Sequence, residues 1–121
     1  HNEYFLYNYG AELNIAKQYD KSIIILKECQ KFYNDYDLQM LLADNYFQIG
    51  DTINAIRIYC CAENMIPCRF LPLYCQMEIY EKNGKKNKVN EIARKIVEKE
   101  IKVKSAIVES IIEKAELNLS N

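Results

Sequence analysis

The chain has 121 residues, half of them apolar and 27% charged, with a formal net charge of −1. That length suits one domain with a modest core, and the composition excludes a disordered polymer. A near-neutral balance gives no electrostatic pull toward nucleic acid, and three Gly with two Pro are too few for a β-protein built on many tight turns.

Read from the N-terminus, the sequence repeats itself. Gly10 and Ala43, Leu13 and Tyr46, Ser22 and Ala55, Leu26 and Tyr59, and Cys29 and Ala62 are each 33 residues apart; Tyr46 and Tyr80, and Gly50 and Gly84, are 34 apart. A unit of about 34 residues therefore recurs three times within a single domain spanning 1–121, near 3–35, 36–69 and 70–103. Each unit divides into two helical stretches, with turns at Gln18-Tyr19-Asp20, Gly50-Asp51-Thr52 and Gly84-Lys85-Lys86. Glycine supplies the left-handed residue that ends a helix, and Asp20 and Asp51 are placed to cap the helix that follows. Pro67 ends the second unit, and Pro72 falls in the first turn of the next helix, where its missing N–H costs nothing. Val89, Ile92, Ala93, Ile96 and Val97 fit one helical face. No strand-like alternation is sustained over four residues or more. A seventh helix is expected over about 105–118, with Ser105 as N-cap and Ile107, Val108, Ile111, Ile112, Ala115 and Leu119 as its apolar stripe. Stacked repeats leave their last apolar face open, and this helix reads as the cap that closes it. The alternative is a helix that docks onto a partner.

Five cysteines stand at 29, 60, 61, 68 and 75, an odd number without a Cys-x-x-Cys pair. They read as small buried hydrophobes in a reducing compartment. Cys61, Cys68 and Cys75 recur every seven residues, but Pro67 and Pro72 keep them off one helix. The single histidine is His1, so neither a zinc site nor a nucleophile–base pair can be assembled. The carboxylate pairs Asp35/Asp37 and Glu98/Glu100 read as solvated surface rather than acid/base pairs across a cleft. No Gly-rich phosphate loop, dinucleotide fingerprint or hydrolase motif is present. The chain is therefore read as no enzyme, with no cofactor and no metal.

The longest unbroken apolar run, Ile58-Tyr59-Cys60-Cys61-Ala62, is far shorter than the roughly 18 residues of a membrane span. No basic segment leads into an apolar one as in a signal peptide. The abrupt start at His1-Asn2-Glu3 reads as a piece of something longer.

The repeat resembles the tetratricopeptide repeat (TPR), whose pattern runs Trp-x2-Leu-Gly-x2-Tyr, then a small residue, an aromatic, another small residue and Pro. The second unit fits best, with Leu42-Ala43, Tyr46, Gly50-Asp51, Ala55, Tyr59, Ala62 and Pro67. The first keeps Gly10, Tyr19, Ser22 and Cys29, but has Asn34 in place of Pro. The third keeps Tyr80 and Gly84 but places Met77, Val89 and Ile96 in small-residue slots. Small residues let paired helices approach to about 8–9 Å, so the third pair is expected to be wider. The resemblance, over 3–103, implies an all-α fold: three TPR-like helix-turn-helix repeats in a right-handed superhelix plus a C-terminal capping helix.

A narrower resemblance rests on Leu6-Tyr7-Asn8-Tyr9-Gly10-Ala11-Glu12-Leu13, on Asn34 through Tyr46, on Arg69-Phe70-Leu71-Pro72-Leu73-Tyr74 and on Lys102-Val103-Lys104-Ser105. These strings look like the soluble C-terminal TPR region of Bacteroidales membrane proteins of the O-antigen ligase type. That likeness implies an appended domain of an inner-membrane protein of surface polysaccharide assembly, with the glycan chemistry carried elsewhere in the parent. Unpaired cysteines favour the cytoplasmic face.

By analogy with the TPR family, the first helix of each pair lines a concave groove. The residues so placed are Tyr4, Tyr7 and Ala11, then Met40, Asp44 and Phe47, then Tyr74, Glu78 and Glu81. Aromatics beside carboxylates suit an extended or helical peptide with apolar anchors and a basic group; the same aromatics could instead pack between repeats. The Lys and Asn clamp that chaperone-binding TPRs use for a terminal carboxylate is not supported, because Tyr7, Ala11 and Met40 hold those slots. Charge divides unevenly. Residues 1–80 carry 6 basic and 10 acidic groups; residues 81–121 carry 10 basic and 7 acidic. Lys82, Lys85, Lys86 and Lys88 read as a solvated turn or a patch for anionic headgroups. The expected function is a non-catalytic interaction module for a protein or peptide partner, with no nucleic acid. The alternative is a structural or self-associating domain with no groove ligand.

Overall fold

A computed structural model describes residues 3–102 and 104–121. Among them lie seven α-helices and no strand: α1 (Glu3–Ile15), α2 (Tyr19–Gln30), α3 (Tyr36–Gln48), α4 (Thr52–Met65), α5 (Leu71–Lys82), α6 (Lys86–Glu98) and α7 (Ala106–Ser120). The chain forms two compact units, His1–Met65 and Ile66–Asn121. Val103, in the last of the strings that carry the narrower resemblance, lies outside the described residues.

The three helix hairpins close in the same way. Gly50 and Gly84 take positive φ (86° and 69°), and Lys17 takes the equivalent position at φ 61°. In each turn the backbone N–H five residues on bonds back to the helix: Gln18 to the Leu13 carbonyl (2.8 Å), Asp51 to Tyr46 (2.9 Å) and Lys85 to Tyr80 (2.9 Å). These are Schellman closures, which satisfy carbonyls that the helix end leaves over. The sequence expectation located the first turn one residue late. Lys17 fills the glycine slot, α2 starts at Tyr19, and Asp20 lies inside its first turn instead of capping it. Asp51 does cap α4, accepting from the Asn54 N–H at 3.2 Å. Pro72 sits in the first turn of α5, and α4 ends two residues before Pro67, whose ring disfavours helix at Ile66.

In the N-terminal unit, α1 packs on α2, α2 on α3, α3 on α4, and α1 touches α3. The small residues lie at the contacts: Cys29, Ala43, Ala55 and Ala62 are fully buried. Gly10 makes the tightest approach, since a Cβ there would fall 2.5 Å from Leu26 Cδ2. A buried polar chain crosses the three helices. The Ser22 hydroxyl donates to the Gly10 carbonyl (2.7 Å), Asn45 Nδ2 donates to Ser22 Oγ (2.8 Å), and Asn14 Nδ2 donates to Asn45 Oδ1 (2.8 Å). Ser22 and Asn45 are both wholly inaccessible, so each bond also removes a desolvation penalty of about 1–3 kcal/mol.

In the C-terminal unit, α6 packs on both α5 and α7. The core runs through Phe70, Leu73, Met77, Ile92, Ile96 and Ile111, so the bulky residues of the third repeat meet α7 as well as their own hairpin. Ser105 caps α7 by accepting from the Val108 N–H (3.1 Å). Lys99 donates to the Pro67 carbonyl and lies 5.8 Å from the Phe70 ring centre. This ties the link before α5 to the end of α6.

Three expectations of burial fail. Val97 and Ile107 are 40% and 70% exposed, because each lies at the edge of its apolar stripe, beyond the arc the neighbouring helix covers. Of the cysteines, only Cys29 is buried; Cys60 and Cys75 are intermediate, while Cys61 and Cys68 are exposed thiols. Cys61 precedes the inward Ala62 and faces out from α4, and Cys68 lies in the link before α5.

Candidate functional site

The start of α3 is set by its cap. Asp35 accepts from the Leu38 N–H at 2.9 Å, which satisfies an orphan donor of the first turn. Asn34 Oδ1 accepts from Gln39 Nε2 (2.5 Å), holding the preceding loop against the helix. Asp37 is left exposed in the first turn, one repeat on from Tyr4. Tyr4, Tyr7 and Asn8 of α1 then line a cleft of about 480 Å³ with Tyr33, Asp35 and Asp37.

Tyr4 is 78% exposed, and Tyr7 is half-buried. Burial pushes the Tyr7 phenol above its ordinary value, and the Asp37 and Asp35 carboxylates and Cys29 push it the same way. Tyr7 is thus a neutral O–H in a negative surround, offering a hydrogen bond and a π-face.

The remaining expected residues divide by unit. Met40 and Phe47 on α3 are half-buried, as is Ala11 on α1. Asp44 is engaged on both oxygens, accepting from Asn14 Nδ2 at 2.9 Å and from Gln48 Nε2 at 3.3 Å. In the C-terminal unit, Tyr74 packs against the core cluster, and Glu81 is exposed. The Tyr74 phenol is raised by burial first and then by the charge and hydrogen bond of Glu78. The structure therefore brings Tyr4 and Tyr7 to one cleft and joins Tyr74 to Glu78 as a partly packed pair.

Sequence reasoning did not nominate Asn8, Tyr33, Asp35 or Asp37. Its reading of Asp35/Asp37 as plain solvated surface holds for the exposure of Asp37 but misses the capping role of Asp35. The signal was available, since Asn34-Asp35-Tyr36-Asp37 ahead of an apolar run marks a helix N-terminus. Lys85, Lys86 and Lys88 are exposed, and Lys88 pairs with Glu91 at 3.4 Å. Glu100 is exposed and meets Lys102 at 3.6 Å. Among the described residues, no group of three His, Cys, Asp or Glu side chains could hold a metal ion. Among them also, no helix is long and apolar enough to cross a membrane.

No family model matches the sequence, and no curated protein matches it. Solved structures match its fold. Yeast Tom70 superposes with a TM-score of 0.76 at 17% identity, over 98% of this chain and 24% of that chain. This chain thus spans about a quarter of the Tom70 chain. PcrH, in complex with the chaperone binding region of PopD, gives a TM-score of 0.73 at 15% identity over 95% of this chain and 86% of its own. The Yersinia enterocolitica type III secretion chaperone SycD, in complex with a peptide of the translocator YopD, gives 0.72 at 15% identity over 93% and 90%. The fold is a TPR-like helical repeat.

Proposed function

We propose that this chain is a non-catalytic interaction domain that binds an extended or helical segment of another protein. The cleft of Tyr4, Tyr7, Asn8, Tyr33, Asp35 and Asp37 carries the reading. It is open, aromatic and built from the first helix of one hairpin and the start of the next, where TPR-like chains present side chains to ligands. Met40, Asp44 and Phe47 are further proposed contacts within the N-terminal unit, and Tyr74, Glu78 and Glu81 are proposed as contacts of the C-terminal unit by itself. PcrH and SycD, each held with a segment of a second protein, support the reading by analogy of fold. Selection of a phage-displayed library of random 16-residue peptides on the immobilised full chain tests it. Peptides should be enriched whose binding falls at least tenfold in a Tyr4→Ala/Tyr7→Ala variant. Failure to enrich any, or equal binding to the variant, overturns the reading.

The parentage is a finer proposal. The string likenesses support an appended domain of a membrane protein of the O-antigen ligase type, on the cytoplasmic face, where exposed Cys61 and Cys68 would stay reduced. The coding sequence upstream of His1 should then encode a series of long apolar segments, and their absence would overturn this placement.

Self-association is a second reading, favoured by the outer face of α1. Phe5 and Tyr9 are 62% and 42% exposed with ring centres 6.2 Å apart, and Ile15 is 80% exposed. Sedimentation of the chain with and without Phe5→Ser/Ile15→Ser separates the readings. A concentration-dependent dimer lost in the variant supports it, and a monomer throughout refutes it.

A further inference from the structure

We infer that the cleft of the N-terminal unit takes a basic side chain, arginine in preference to lysine, as the anchor of its partner segment. This rests on the groove reading above and names the chemistry of what the groove holds. Among the described residues, Tyr4, Tyr7, Asn8, Tyr33, Asp35 and Asp37 line the space, with no lysine or arginine among them. The unit is acidic as a whole, with 9 Asp and Glu against 5 Lys and Arg over residues 1–65. Two of its lysines are occupied elsewhere: Lys27 lies 5.8 Å from the Tyr46 ring centre, and Lys31 pairs with Glu28 at 3.0 Å.

A purely aliphatic anchor would shield Asp37 and Asp35 from water with no countercharge, which is costly for ionised groups. An acidic anchor or chain terminus would meet like charge. A cation meets both wall types at once, with π-faces from the tyrosines and carboxylates from α3. The planar guanidinium stacks on a ring while its edge donates to a carboxylate, which a compact ammonium does less well. The volume, about 480 Å³, holds such a group with part of the flanking backbone. The Tyr7 phenol is raised first by burial and then by the Asp37 and Asp35 carboxylates, whose contribution agrees with a negative cleft.

The phage-displayed 16-residue library supplies the test. Enriched peptides should share an arginine at a fixed position. In fluorescence anisotropy, replacing that arginine by neutral citrulline should weaken binding about tenfold, since a charge-assisted pair of bonds is lost. An Asp37→Asn variant, which alters an exposed residue outside the core, should bind about two- to fivefold more weakly, the range of an exposed ion pair. Its unfolding should stay cooperative, with a midpoint lowered only slightly by the loss of a carboxylate from the first turn of α3. Enriched peptides with no basic consensus, or citrulline peptides binding within twofold of the parent, would overturn the cation inference and leave the groove reading standing. Enriched peptides indifferent to Tyr4→Ala/Tyr7→Ala, or no enrichment at all, overturn the groove reading and the inference together.

Discussion

Replacing Gly10 by alanine tests the helix approach on which the first hairpin depends. In an open helix the change is favourable by about 1 kcal/mol, because glycine has the greater backbone freedom to lose. Here the added Cβ would lie 2.5 Å from Leu26 Cδ2 and 2.7 Å from Leu26 Cγ. Leu26 is fully buried and has no solvent to swing into, so helix or side chain must shift at a cost of about 1–3 kcal/mol. The net expectation is a loss of about 1 kcal/mol in Gly10→Ala, seen as a lower urea midpoint at unchanged slope. Truncating the obstacle reverses the sign. Leu26→Ala alone costs about 2–5 kcal/mol, but in that background Gly10→Ala should recover roughly 0.5–1 kcal/mol, because the Cβ then enters vacated space. The double-mutant cycle should therefore return a coupling of about 1.5–2 kcal/mol between the two sites. A Gly10→Ala chain more stable than the parent, or the same effect in both backgrounds, would refute the close-approach argument.

Lys17→Gly should stabilise the chain by about 0.5–1 kcal/mol, since it relieves a left-handed non-glycine residue at some loss of unfolded-state restriction; thermal unfolding would read the gain. Ser22→Ala should cost about 1–3 kcal/mol in denaturant unfolding, because the Gly10 carbonyl and Asn45 amide lose their shared buried partner. Ser105→Ala should cost about 1 kcal/mol, read most directly as faster amide hydrogen exchange in the first turn of α7. The Asp51 carboxyl is held below its ordinary value, first by the Asn54 side-chain hydrogen bond and then by the Asn54 backbone N–H. Its contribution is complete above the usual aspartate value near 4 and fades as pH falls through its lowered native value. Asp51→Asn should flatten the acid limb of a melting-temperature profile below about pH 4 and leave the neutral region's slope unchanged.

Helices, turns and most of the core were legible because they rest on backbone chemistry that sequence displays directly. Gly50, Gly84, Pro67, Pro72 and the 33–34-residue offsets each have one dominant local meaning. Lys17 escaped because the Schellman hydrogen bonds hold it in a conformation its residue type does not advertise. Ser22 was legible as a small residue of the repeat but its hydrogen bonds were not, and Asn45 escaped because a buried polar residue looks like a surface one until its partners are known. The cleft was half visible. Tyr4 and Tyr7 follow from repeat register, whereas Tyr33 enters from a loop, and Asp37 is aimed only once Asp35 has fixed where α3 begins. Tyr74 shows the opposite limit: its register position suits a groove, yet part of its ring is held by the core.

The hydrogen-bonded chain from Gly10 to Asn14 has an evolutionary corollary. Its polar side chains have no counterparts one repeat later, where Ala55 stands for Ser22, Phe47 for Asn14 and Ile79 for Asn45. Hairpins one and two are thus keyed to each other, and shuffling their order would strand an amide against a methyl group. Gene duplication could have produced this array, but further duplication of the second hairpin would now be penalised, so its modules are no longer interchangeable.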